Sequence, residues 1–297
     1  MTVLVTGGTG FVGSRLKLVK PDWIYVSSNM YDLTSAKECR YMFRDIRPEA
    51  VVHLAGRVGG IFDNVSKQAE YFYINTMINT NLIHCAYKSG VRRLLASLST
   101  CAFPDKVEEY PFTEEDIFKG PPVKTNFAYG FTKRNLHVQA LSYREQYGVD
   151  YSCFCPSNVY GIGDNFNHKT SHFVPSLIRK LTEAKNGDII NMWGTGKPLR
   201  QQLYVDDLCQ IIPELLENHT SELPLIVAPE ENLSIRQMCE MLREQTGKDV
   251  KFKFNGNFEG QHRKDGTNRR LLELIYGFNF TPFAEGVLKT YRWYNEK

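Results

Sequence analysis

The chain has 297 residues, enough for two lobes and a sizeable buried core. Its hydrophobic content of 42%, charged content of 23% and net charge of +3 are ordinary for a soluble globular protein, and the scattered basic residues give no footprint for nucleic acid or a membrane surface. No apolar run approaches the ~20 residues of a membrane span, the N-terminus lacks the basic region and cleavage site of a leader, and seven cysteines without C-x-x-C spacing read as reduced thiols in a cytosol-like, cytoplasmic setting.

The elements alternate from the first residues onward. Val3 to Val5 reads as a buried strand, followed at once by Gly7-Gly-Thr-Gly-Phe-Val-Gly13 and a helix continuing to Val19. Gly7, Gly10 and Gly13 have the roles of a dinucleotide turn: a tight bend, close backbone approach to a pyrophosphate, and close helix–strand packing. A glycine-rich turn of no function is the alternative, and the flanking strand and helix argue against it. Trp23 to Val26 is a second strand ending in Ser27-Ser28-Asn29, which has no acid to bind the 2′-hydroxyl of NAD. That favours NADP, although no Arg stands in the turn to clasp a 2′-phosphate. Asp32 could meet the adenine edge or belong to a helix N-cap.

Ala50 to Leu54 is a third strand, and Ala55-Gly56-Arg57 opens a loop at its carboxyl end, where α/β sheets place ligands. A long helix from about Lys67 to Lys88 carries Asn75 and Asn79, which read as packing or capping groups. Arg93 to Ser97 is a fourth strand running into Ser99-Thr100-Cys101, and an acidic loop of Pro104 to Pro122 follows. The next helix opens at Asn126-Phe-Ala-Tyr129-Gly-Phe-Thr-Lys133. Tyr129 and Lys133, four apart, lie one turn apart on one face, and the stripe continues through Leu136, Ala140, Tyr143 and Tyr147 to a stop at Gly148. A lysine beside a phenol lowers a pKa that starts near ~10, so the pair can pass a proton to or from a substrate oxygen. On its own such a pair is as readily surface decoration.

Tyr151 to Cys155 is a further strand, followed by Pro156, Asn158, Val159 and Tyr160-Gly161. Strands alternating with helices define an α/β fold, a Rossmann-type doubly wound parallel sheet. The character changes near residue 163. A polar loop with Asp164 and Ser171-His172 leads into a helix from Phe173 to Ala184, then a loop with Trp193, Lys197 and Arg200. Leu203-Tyr-Val205 with Asp206-Asp207 reads as a strand turning into a helix that rejoins the first lobe. The remainder, including Ser234 to Thr246 as a helix and Asp265 to Arg270, suits a smaller lid-like domain. The expected division is 1–162 for an NADP-binding domain, with a returning segment near 203–220, and 163–297 mainly for a smaller C-terminal α/β substrate domain. The ligand site is expected in the cleft between them.

Taken together the chain resembles the extended short-chain dehydrogenase/reductase superfamily along essentially its whole length, and within it the GDP-L-fucose synthase family. The residues that carry this are Gly7-Gly-Thr-Gly-Phe-Val-Gly13, Val58-Gly-Gly-Ile61, Leu98-Ser-Thr-Cys-Ala-Phe-Pro104, Tyr129-x-x-x-Lys133, Asp164-Asn-Phe166, Ser171-His172 and Trp193-Gly-Thr-Gly196. The Ser-Thr-Cys with a downstream Ser-His is the most specific part, because related 4,6-dehydratases carry an Asp/Glu pair where this chain has Thr100-Cys101. There are departures: Ile162 where Pro is common, Thr9 where some members have Arg, and Arg179-Lys180 where some have two Arg.

The resemblance implies epimerisation of C3 and C5 of GDP-4-keto-6-deoxy-D-mannose followed by reduction of C4 with NADPH. Ser99 and Tyr129 would hold the C4 oxygen, Cys101 and His172 would move the C3 and C5 protons, and Lys133 would fix the ribose and tune Tyr129. Absent the resemblance, Cys101 reads as a small buried hydrophobe and His172 as a loop or capping residue. NADP contacts are expected at Gly7, Thr9, Gly10, Phe11, Val12 and Gly13, at Ser28 and Asp32, at Leu54, Ala55 and Gly56, and at Lys133, Pro156, Asn158, Val159 and His172. Asn158, Lys180, Trp193, Arg200 and Arg270 are expected to meet the substrate, with Lys180 less able than Arg to bind phosphate bidentately. The family also implies a homodimer. Two other readings stand beside it: another nucleotide-sugar 4-reductase or epimerase, which needs no Cys–His pair, and a non-catalytic NADP-binding regulator, which would be expected to lose Ser99, Tyr129 or Lys133.

Overall fold

The computed structural model describes residues 1–257 and 260–296. Its first half lays down β1 (Val3–Thr6), α1 (Phe11–Val19), β2 (Ile24–Val26), α2 (Ala36–Ile46), β3 (Ala50–His53), α3 (Ile61–Ser66), α4 (Gln68–Lys88), β4 (Arg93–Ser97), α5 (Phe127–Tyr147) and β5 (Asp150–Pro156). The second half adds β6 (Asn158–Tyr160), α6 (Phe173–Glu183), β7 (Ile189–Met192), β8 (Leu199–Tyr204), α7 (Val205–Asn218), β9 (Leu225–Val227), β10 (Asn232–Ser234), α8 (Ile235–Thr246), β11 (Lys251–Phe254), α9 (Arg269–Leu274) and α10 (Phe283–Asn295). None of the described helices is long and apolar enough to cross a membrane.

The main sheet has six parallel strands in the order β2-β1-β3-β4-β5-β9. Its side chains sort by the two-residue period of a pleated strand. Leu4, Val51, Leu94, Ala96, Cys153 and Cys155 face one buried cluster, while Val3, Val5, Ala50, Val52, Leu95 and Phe154 face the other. The inner stretches of these strands are largely apolar because helices cover both faces. Strand order reverses between β1 and β3, so the carboxyl ends of these two strands border the crevice where such sheets take ligands.

Helix boundaries follow local chemistry. Ser35 caps α2 by accepting from the Glu38 N–H at 3.3 Å, and Gly148 at φ 62 ends α5 in the left-handed conformation. The α5 stripe holds as far as Leu136 and Ala140, both buried. Tyr143 and Tyr147 instead join an aromatic cluster with Tyr87, whose ring stacks on Tyr147 at 4.0 Å between centroids. Among the elements the sequence pattern did not give are α3 and a 3-10 turn at Glu114–Phe118 inside the acidic loop.

Smaller sheets join β10-β8-β6 and β11-β7, over a third core that includes Leu177, Ile178, Tyr204, Met238 and Phe283. The strand read at Leu203 pairs in this separate sheet. Leu203 faces the core under the main sheet while its neighbour Tyr204 faces the third core. The return is made by α7, which packs on α1, and by β9, which pairs with β5.

Candidate active site

The glycine turn sits at the carboxyl end of β1. Gly7 has φ +74, and a Cβ on Gly13 would lie 2.3 Å from the Gly7 carbonyl oxygen, so the turn and α1 close on each other only with glycine there. The cradle suits a dinucleotide pyrophosphate, held by backbone where side chains would intrude. Ser28 and Asp32 lie exposed beyond β2. The Asp32 carboxylate accepts from the Thr34 N–H at 2.9 Å and the Asp32 N–H donates to Glu38 at 2.6 Å, so these acids tie down the turn. Gly56, after β3, brings the chain close to Lys133: a Cβ there would be 3.7 Å from Nζ. Asn75 holds this loop by accepting from the Arg57 N–H at 2.9 Å. Asn79 lies 3.1 Å from His53, so both asparagines serve packing.

The reacting groups converge from several elements. Ser99 follows β4, and its hydroxyl accepts from the Cys101 N–H at 3.2 Å, opening the Thr100–Ala102 turn. Arg134 of α5 clamps that turn through two bonds to the Ala102 carbonyl, 3.0 and 2.6 Å. Gly130 allows the approach, since a Cβ there would lie 2.3 Å from the Cys101 carbonyl oxygen. Tyr129 stands beside it, 7% exposed, hydrogen-bonded to Ser99 and set edge-on to Tyr71 at 6.3 Å. The Lys133 ammonium donates to the Ser97 carbonyl at 2.8 Å and lies 5.9 Å from the Tyr129 ring centre.

This geometry corrects one expectation. Tyr129 is not acidified by Lys133. Burial pushes the phenol well above its ordinary value, the charge of Cys101 adds to that, and the Ser99 hydrogen bond only offsets it in part. Burial also lowers Lys133 to about 8. The phenol is thus held protonated, the state of a proton donor.

Cys101 is half-buried among donors. The Lys264 ammonium lies 3.0 Å from its sulfur and the Asn126 amide 3.2 Å. Asn126 occupies the N-cap position of α5 but makes no side-chain cap bond; its amide goes to the thiol instead. Burial works to raise the thiol, but the Lys264 charge with the bonds from Ser99, Lys264 and Asn126 outweighs it, and Cys101 ends below the ordinary thiol range. His172 is the N-cap residue of α6, and its side chain makes no capping bond, so capping does not account for the imidazole. His172 is exposed; partial desolvation, with Lys264 nearby, lowers its pKa and keeps it neutral. Asp164, whose Oδ2 is buried without a partner, is raised to about 7 by desolvation.

The outer residues are more dispersed. The Lys180 ammonium donates to the Asn191 carbonyl at 2.6 Å, Trp193 is 58% exposed, and Arg200 donates to the Gln261 carbonyl at 2.6 Å. Arg270 is held by Glu114 and Glu115. Sequence reading gave Lys264 no role and Asn126 none beyond opening the helix. The thiol contact of Lys264 spans 163 positions, and no local pattern encodes it.

A parallel sheet with a glycine cradle at its switch point, beside a helix presenting tyrosine and lysine, defines a dinucleotide-dependent oxidoreductase of the Rossmann class. The NAD dependent epimerase/dehydratase family is matched over residues 3–227, and the chain belongs to that family. It is similar to the GDP-L-fucose synthase of Dictyostelium discoideum, 36% identical over 99% of this chain and 95% of the relative. The GDP-L-fucose synthase of Escherichia coli K12 is 30% identical over 99% of this chain and 96% of its own length. Among solved structures, a GDP-L-fucose synthetase from Naegleria fowleri bound to NADP superposes with a TM-score of 0.91 at 34% identity, covering 99% of this chain and 92% of that one.

Proposed function

We propose that this chain converts GDP-4-keto-6-deoxy-D-mannose to GDP-L-fucose, inverting C3 and C5 and reducing C4 with NADPH. The observation that carries the reading is the Cys101 thiol, held by Lys264 and Asn126 beside Ser99 and Tyr129. A simple 4-reductase has no use for a deprotonated thiol at that place. The full-length similarity to GDP-L-fucose synthases supports the same reading.

A ketone at C4 acidifies the protons on C3 and C5. Cys101 removes one; the C–H electron pair moves into the C–C bond and the carbonyl pair onto the C4 oxygen. Ser99 and Tyr129 donate hydrogen bonds to that oxygen, which stabilises the enolate. His172 serves the same carbons from the other side, so that a proton returned from the opposite face inverts the centre. NADP, held by the glycine cradle with Ser28, Asp32, Leu54 to Gly56, Lys133 and Pro156 to Val159, supplies hydride when bound in its reduced form. Tyr129 then protonates the alkoxide at C4. Asn158, Lys180, Trp193, Arg200 and Arg270 are the proposed nucleotide-end contacts, with the Arg270–Glu115 pair opening on binding. The decisive experiment is incubation with GDP-4-keto-6-deoxy-D-mannose and NADPH, with NMR of the product sugar. A product reduced at C4 with C3 and C5 unchanged overturns the proposal.

The same reading carries the division into an NADP-binding unit of 1–162 with a returning segment near 203–220 and a mainly substrate-binding unit of 163–297. It also carries a two-fold dimer. An apolar groove of about 650 Å³ between α4 and α5, lined in part by Phe72, Tyr73, Met77, Phe127 and Phe131, leaves Tyr73 64% and Phe127 45% exposed. A second copy would cover it. A monomeric mass by light scattering at micromolar concentration removes the dimer.

A further inference from the structure

Lys264 lies on none of the named elements, yet its place is tightly fixed. The backbone of its segment pairs with the loop after Cys101: the Phe112 N–H donates to the Asp265 carbonyl at 2.9 Å and the Thr267 N–H to the Phe112 carbonyl at 2.8 Å. The Gln201 amide closes on Gly266 from the other side, donating to its carbonyl and accepting from its N–H, both at 3.0 Å. Gln201 is 4% exposed and Lys264 8%. The neighbouring carboxylate, Asp265, is occupied by Arg263 at 2.7 Å. Among the described residues, the Lys264 ammonium is thus left with the Cys101 sulfur, at 3.0 Å. Burying a lysine is costly unless its charge is answered, and a thiolate is the group that answers it.

We propose that Lys264 is a positioning residue that holds Cys101 as a thiolate aimed into the sugar cleft, so that the cysteine enters the reaction as the base. This rests on the reading of Cys101 as an acid/base group given above. The other groups around the sulfur fit the assignment. Asn126 donates to it, and the Ser99 hydroxyl lies alongside, accepting from the Cys101 N–H. Tyr129 and Lys133 face it from α5, and Cys155 from β5. Of the two thiols, burial leaves Cys155 protonated, while Lys264 takes Cys101 the other way. Glu114 acts on Cys155 and, like Cys101, raises it further. The same ammonium disfavours protonation of His172, so one charge sets both members of the pair: thiolate on one side and neutral imidazole on the other. After Cys101 takes the carbon-bound proton the sulfur is neutral, and Lys264 favours its return to thiolate before the second centre is inverted.

The test reads the thiol directly. The rate of Cys101 alkylation by iodoacetamide is followed against pH by mass spectrometry of its peptide, in the parent, Lys264→Met, Lys264→Gln and Lys264→Arg. The parent midpoint should lie below the ~8.5 of a free thiol. Both neutral variants should move it upward by about one pH unit or more, the scale of a lost close charge, and Lys264→Arg should restore most of the shift. C3 and C5 exchange in deuterated water should slow in the neutral variants at pH 7 and recover as pH rises. A midpoint unchanged in Lys264→Met and Lys264→Gln, with NADP binding retained, overturns the proposal. So does an equal upward shift in Lys264→Arg, which would make the side chain's shape, and not its charge, the cause. Normal epimerisation by Cys101→Ser would instead sink the reading of Cys101 as an acid/base group, and the alkylation midpoint would still report on Lys264.

Discussion

The two ends of the crevice are built in opposite ways. The cofactor end is a backbone structure: Gly7 to Gly13 lie in one short stretch, and what matters there is the side chain that is missing. The sugar end is made of side chains, with Ser99 and Cys101 after β4, Asn126, Tyr129 and Lys133 at the start of α5, His172 at the start of α6, and Lys264 from a segment pinned by Phe112 and Gln201. A backbone cradle tolerates exchange of neighbouring chemistry but no added atom. A side-chain pocket tolerates isosteric changes in shape but no change in charge or proton inventory.

The largest break of that contrast is at Gly13. Gly13→Val places side-chain carbon against the Gly7 carbonyl, which already lies 2.3 Å from where a Cβ would be, so NADPH binding should vanish and the melting temperature fall. Retained binding by fluorescence titration would show that the turn can open and that the cradle is not rigid. Next is Tyr129→Phe, which keeps volume and removes the phenolic proton. Reduction of the C4 ketone should fall by ~10²-fold or more, with NADPH binding unchanged; near-normal turnover of a pre-epimerised keto sugar would take the proton-donor role from Tyr129.

Cys101→Ser and His172→Gln sharpen the comparison within the sugar end. Each should slow C3 and C5 exchange in deuterated water by ~10- to 100-fold, toward the lower end of what acid/base groups contribute, while slow NADPH oxidation continues and yields an unepimerised 6-deoxy sugar. Unchanged exchange at both carbons in both variants would leave the two residues structural. The smallest effect belongs to the frame beneath both ends. His53, bonded to Thr6 at 2.7 Å and Asn79 at 3.1 Å, is lowered by burial and by Lys133 from 6.5 to about 3. Its folded pKa lies below its unfolded one, so its contribution is whole above pH 6.5 and is lost as pH falls toward 3. In unfolding titrations His53→Gln should reduce the decline in stability across that window by about one proton, leaving the part carried by His137 and His219, both lowered to about 4 by burial. An identical slope in the variant would assign the proton elsewhere.

Much of this was legible in the chain itself. The strand at Val3 to Val5, the glycine turn, the pair Tyr129 and Lys133 with a stop at Gly148, and the helix opening at Ser234 are local signals, because pleat, helical period and capping act over a few residues. The Ser99-Thr-Cys101 and Ser171-His172 signatures pointed to the sugar chemistry through family resemblance. What the sequence could not state is how distant pieces act on one another. It led to a phenol acidified by Lys133, whereas the folded pocket buries Tyr129 and keeps its proton. It read Leu203 to Asp207 as a strand turning into a helix but not which sheet that strand joins: α7 packs on α1, while β8 pairs in another sheet. It gave Lys264 no role, and tertiary structure set that ammonium against a thiol 163 positions away. Short-range sterics and hydrogen bonding write secondary structure and the cradle into the sequence. Charge states in the pocket depend on burial and through-space fields, and those exist only once the chain has packed.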